Sequence, residues 1–174
     1  TLYDAFNLEK EDSFFEKFMG PIYQYSMFSL PRITGVSSSE QALELLKTTR
    51  FDLVILMVGV DIQTPLDLSI KLKEQNHELP IYLLLNQRTN VKYFEEMVSK
   101  YSSFDKLFLW NGDSQIFFAM VKSLEDRINV ENDTKIGLVR VILLIEDSAQ
   151  YYSKYLTMFY SVVFGQVNQL IEEF

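Results

Sequence analysis

Two runs of apolar residues constrain this chain more than anything else in it. Leu53-Val54-Ile55-Leu56-Met57-Val58 and Ile81-Tyr82-Leu83-Leu84-Leu85 stay apolar at successive positions instead of alternating with polar residues. Neighbouring side chains of a strand point to opposite faces, so a strand apolar throughout is buried on both. That is the environment of a parallel sheet covered by helices on each side.

The stretches around the runs supply those helices. Ser37-Ser38-Ser39 offers an N-cap ahead of Ala42, Leu43, Leu45 and Leu46 at helical spacing. Thr64-Pro65 opens a second helix reaching about Glu74. Val91 to Tyr101 reads as a third, with Phe94, Met97 and Val98 inward, and Ser114 to Ile128 as a fourth, carrying Ile116, Phe117, Met120, Val121 and Leu124 on one face. Arg32–Val36 and Lys106–Trp110 are expected to be further strands, and Leu8 to about Phe28 has helical spacing that Gly20-Pro21 interrupts. Strands alternating with helices predict an α/β fold: a three-layer, doubly wound parallel sheet of about five strands. Right-handed crossovers bring the strand C-termini to one edge, where ligands of such sheets bind. Met57, Leu85 and Trp110 are expected at that edge.

After Ile128 the pattern breaks. Asn129 to Lys135 is polar and aperiodic and reads as the start of a linker, 129–138. Val139-Arg140-Val141-Ile142-Leu143-Leu144-Ile145 is another apolar strand, now ending in Glu146-Asp147, and a helix-like segment from Tyr151 finishes the chain. One strand and one helix are too little to fold alone. The expected organisation is a domain over 1–128, the linker, and over 139–174 the opening of a second domain.

Composition narrows the chemistry. The chain has 174 residues, 48% of them hydrophobic, enough for about one domain with a substantial core. No apolar run approaches the roughly 20 residues of a membrane span. The net charge is −8 and no run of Lys or Arg occurs, which argues against binding nucleic acid or anionic lipid. Without cysteine there is no disulfide, thiol catalysis or thiolate-bound zinc, and a single histidine, His77, excludes a histidine cluster. No charged and then apolar leader opens the chain, so a cytoplasmic location is expected.

The pairing of Ser37-Ser38-Ser39-Glu40-Gln41-Ala42-Leu43-Glu44-Leu45-Leu46 with Phe51-Asp52-Leu53-Val54-Ile55-Leu56 resembles the middle of a response-regulator receiver domain, and the likeness extends from Arg32 to about Asn129. Val141-Ile142-Leu143-Leu144-Ile145-Glu146-Asp147-Ser148 resembles the first strand of a second receiver, where an acidic pair holds magnesium. Leu107-Phe108-Leu109-Trp110-Asn111-Gly112-Asp113 together with Glu125-Asp126-Arg127-Ile128-Asn129-Val130-Glu131 is similar to receiver-like segments fused to bacterial homologues of phosphoenolpyruvate synthase and pyruvate phosphate dikinase. The resemblance implies a flavodoxin-like fold and a phosphorelay origin. It also implies that the phosphoacceptor aspartate falls on Met57, the hydroxyl switch on Leu85 and the conserved lysine on Trp110. None of these side chains can do the receiver's chemistry. The expected molecule is a pseudo-receiver: not an enzyme, without a cofactor, acting on a protein partner or as a homodimer in two-component signal transduction. The docking surface common in receivers would fall on Tyr93–Lys100 and Ser114–Glu125.

A receiver opens with an apolar strand, which Thr1–Phe6 is too short to provide. Val139–Ile145 is the right kind of element to fill the gap, within one chain or swapped between two. Remaining candidates are weaker. Glu146 and Asp147 could hold magnesium, although such a pair without a third carboxylate is commonly a hydrated strand end. Asp61 could serve as a displaced phosphoacceptor only with a rebuilt loop. Asp52 and His77 belong to the opposite edge. Trp110 with Asn111-Gly112-Asp113 could line a pocket for a sensed small molecule, or simply fill the space a lysine vacated. The aromatic helix from Tyr151 is suited to packing on a sheet or on another subunit.

Overall fold

The two apolar runs become neighbouring parallel strands. β1 (Val54–Met57) runs beside β2 (Ile81–Asn86), with Val54 opposite Ile81 and Met57 opposite Leu84. β3 (Lys106–Trp110) pairs on the other side of β2, giving an open parallel sheet in the order β1-β2-β3. The arrangement is that of a computed structural model, which describes residues 32–59, 63–86 and 90–172, with side chains to 166. The chain divides into two compact units, residues 52–165 and residues 1–51 with 166–174.

Each helix follows from its sequence. α1 (Ser39–Thr48) begins where the serine run ends, and the Ser38 hydroxyl accepts the Gln41 amide at 3.2 Å. It lies in the smaller unit. In the larger unit, α2 (Gln63–Gln75) buries Leu66, Leu68 and Leu72, and α3 (Val91–Lys100) is capped by Asn90 and buries Phe94 and Met97. α4 (Gln115–Lys135) buries Ile116 through Met120 and then Leu124. α5 (Ala149–Glu172) closes the described chain.

The core centres on β2, where Ile81 to Leu85 are no more than 1% exposed. A strand apolar at every position satisfies both faces at once, as its sequence requires. Tyr82 and Phe108 meet across the strands at 5.3 Å between ring centroids. At the N-terminal edge of the sheet, Asp105 accepts the Ile81 amide at 2.8 Å and the Lys73 ammonium at 2.9 Å, tying α2, β2 and β3 together.

Among the described residues the sheet has three strands, and the others of the about five expected are not shown. Arg32–Val36 is exposed and unpaired among the described residues. Residues 129–135 are not a linker, because α4 continues through Lys135. Thr134 bonds back to the Val130 carbonyl at 2.6 Å, and Lys135 pairs with Glu131 one turn earlier. This last stretch projects into solvent, so its residues need no apolar face and leave no periodicity to read.

The helix ends tightly. A Cβ on Gly137 would lie 2.9 Å from the Asp133 carbonyl oxygen, and Leu138 follows at φ 53°, the left-handed region. Val139–Ile145 then forms no strand with the sheet and is largely exposed, with Leu143 at 80% and Ile145 at 83%. The expectation that it fills the missing strand within its own chain is therefore not met.

Candidate functional site

The parallel sheet sends its strand ends to one edge, and Met57, Leu85 and Trp110 lie there or one residue short of it. Met57 ends β1, Leu85 is the penultimate residue of β2, and Trp110 ends β3 opposite Asn86. Leu85 is 1% exposed and belongs to the core. Met57 is half-buried, and the Trp110 ring lies edge-on to Phe117 of α4 at 6.1 Å. An apolar thioether, an isobutyl group and a packed indole offer no nucleophile, no hydroxyl and no cation.

Asn111-Gly112-Asp113 forms the turn that starts α4. Gly112 takes φ 91°, which its neighbours would resist, and Asn111 accepts the Asp113 amide at 3.0 Å. Asp113 in turn accepts the Gln115 amide at 2.9 Å, starting α4. Two buried polar atoms have no hydrogen-bond partner among the described residues, Tyr82 Oη in the core and Trp110 Nε1 at this edge.

The acidic pair lies elsewhere. Glu146 and Asp147 line a cleft of about 360 Å³ with Glu95, Asp105, Lys106 and Tyr152. Lys106 is the first residue of β3, so the pair sits at the N-terminal edge, away from Met57. The Glu146 carboxylate accepts the Ser148 amide at 3.1 Å, turning the chain towards α5. No group of three metal-ligating side chains exists among the described residues. His77 is exposed on the loop after α2, at the same edge, and Asp52 precedes β1. Asp61 lies outside the described residues.

What the sequence left unassigned is how α5 is used. Its inner face covers β3 and α4. Ser153 Oγ accepts the Leu109 amide at 2.9 Å, closing the free edge of β3, and Tyr152 packs on Phe108 at 5.9 Å. Lys106 donates to the Tyr152 hydroxyl at 2.9 Å, and Phe164 meets Phe118 edge-on at 4.7 Å. At its start, the Ala149 amide donates to the Glu95 carboxylate of α3 at 3.0 Å, an acceptor matched to the positive end of a helix dipole. Much of the docking surface expected between Tyr93–Lys100 and Ser114–Glu125 is thus taken by the chain's own helix. The outer face of α5 is apolar as well. Tyr151, Tyr155, Met158, Phe159, Val162 and Val163 are 39–59% exposed and recur at helical spacing. A helix apolar on both faces is built to be covered on both.

The α4–α5 contact also carries the clearest electrostatics. Tyr160 donates to Asp126 at 2.8 Å, and Lys122 pairs with Glu125 and Asp126 at 3.0 and 3.3 Å. Burial, then the hydrogen bond to the Asp126 carboxylate, pushes the Tyr160 phenol well above its ordinary range. Burial lowers the Lys122 ammonium, but Glu125 and Asp126 outweigh it and leave it raised. Both raised values act in the same direction. Their stabilisation is complete below pH about 10, the unfolded values, and is lost as pH rises through the folded ones. Urea melts across the alkaline range should show unfolding free energy falling from about pH 10. In Tyr160→Phe the fall should be shallower, with about 1 kcal/mol already lost at neutral pH.

No helix of the described residues is long and apolar enough to cross a membrane. No protein-family model, curated protein or solved structure matches the chain.

Proposed function

We propose that the chain is a degenerate receiver-type module of flavodoxin-like fold, working by protein contact and not by phosphorylation. One observation carries the reading: the edge where a receiver would hold its aspartate, hydroxyl and lysine presents Met57, Leu85 and Trp110. A phosphoryl group needs a carboxylate to receive it and a divalent cation to bring it. This edge offers neither among the described residues. What the chain offers instead is apolar surface, along Leu138–Ile145 and the outer face of α5. Contiguous apolar surface of that kind marks interaction sites. Its role in a cytoplasmic signalling protein is regulatory, with any catalysis residing outside this segment.

Trp110 is the chain's single tryptophan and reports directly on the edge. Its fluorescence should stay constant as magnesium is raised to millimolar levels. A saturable change would point to a working cation site and contradict the reading. One observation favours a second use of the edge, as a small-molecule sensor: the unpartnered Trp110 Nε1 donor. A rise in melting temperature with a small hydrogen-bond acceptor would support that use.

A further inference from the structure

We infer that Val139–Ile145 is a donated strand, which pairs with the open edge of β1 in a second copy of this chain. The inference rests on the interaction reading above and names its partner.

The donor has the sequence of a strand and forms no strand in its own chain. Val139, Val141, Ile142, Leu143 and Ile145 are 56–83% exposed, although their sequence is that of a strand buried on both faces. The acceptor is equally incomplete. The Val54 and Val58 amides donate to the carbonyls of Pro80, just before β2, and of Leu84 within it, at 2.9 and 3.1 Å. Alternation then turns the main-chain groups of Ile55 and Met57 to the side where no described strand lies. The two sheet edges differ in this respect, because Ser153 of α5 already covers Leu109 on β3. An uncovered edge is a template for another strand.

The donor does not reach that edge in its own molecule. The position beside β1 lies three strand spacings from β3, about 14 Å through the sheet. Ala149 and Ser153 hold the start of α5 against α3 and β3. Three residues separate Ile145 from Ala149, and the four steps between them span at most about 14 Å fully extended, whereas a route around the covering helices is longer. A second copy meets no such limit. Its own unpaired strand answers the first copy's open edge, so a two-fold exchange satisfies both and closes. The hinge fits as well: Leu138 at φ 53° puts strain in the link that must swing out.

Light scattering on the 174-residue chain should read twice its 20.4 kDa. Ile142→Asp with Leu143→Asp should weaken the dimer at least tenfold and leave the circular dichroism unchanged, since both side chains are exposed in the single chain. The chain has no cysteine, so Ile55→Cys can be paired with a cysteine at Val141, Ile142, Leu143 or Leu144 to scan the register. Oxidation should give a dimer linked through one of these pairs. A monomer, a dimer indifferent to the aspartates, a disulfide closed within one chain, or no cross-link at any register would each overturn the exchange. None of these outcomes touches the loss of phosphorylation, which a phosphodonor tests separately.

Discussion

Phe108→Ala should lower the unfolding free energy by about 3–5 kcal/mol, the cost of emptying a fully buried aromatic site. Phe108 is 0% exposed and stands between Tyr82 of β2 and Tyr152 of α5, with centroids 5.3 and 5.9 Å away. Truncation removes the ring on which the sheet and α5 both rest, and neither neighbour can collapse into the gap without giving up its own place. A melting temperature lower by about 6–20 °C follows for a chain of this length. Phe108→Leu should recover most of the loss. If the alanine variant melted like the parent, α5 would not be packed on β3 as described.

Asp105→Ala should cost about 2–3 kcal/mol by a different route. The Asp105 carboxylate serves two donors, the Ile81 amide at the start of the central strand and Lys73 of α2. Lys73 and Asp105 keep 16% and 26% of their side chains exposed, which tempers the charge contribution. The larger part is the unpaired amide left at the edge of the core. Asp105→Asn keeps an acceptor for Ile81 and should lose about 1 kcal/mol. Denaturant melts of the two variants separate these parts, and equal losses would contradict the assignment.

The strands of the larger unit were legible because burial on both faces writes itself as an unbroken apolar run. Lys106–Trp110, Ile81–Leu85 and the Ser38 cap behave as their residues predict. Hydrogen-bond partners at long range were not legible. Val139–Ile145 has the composition of a central strand, yet a strand exists only where a neighbouring backbone accepts it, and composition does not supply the neighbour. The continuation of α4 through Lys135 failed to show for the opposite reason, since a fully solvated helix has no apolar periodicity. At the candidate site, the apolar runs were enough to place Met57, Leu85 and Trp110 at the strand ends, whereas the roles a receiver would give those positions come only from the resemblance. The acidic pair was read as the end of the strand Val139–Ile145, and where that strand has no partner in its own chain the pair lines the cleft beside Lys106 and Tyr152. The cover provided by α5 depends on Ser153 meeting Leu109, 44 residues earlier, and nothing local marks it.

The measurement that tests the proposed absence of phosphoryl chemistry most directly is intact mass after incubation with acetyl phosphate and magnesium. With Met57, Leu85 and Trp110 at the strand ends, the mass should remain that of the untreated chain. Gain of one phosphoryl group, stable in acid and released by base, would show a working acyl phosphate and contradict the account.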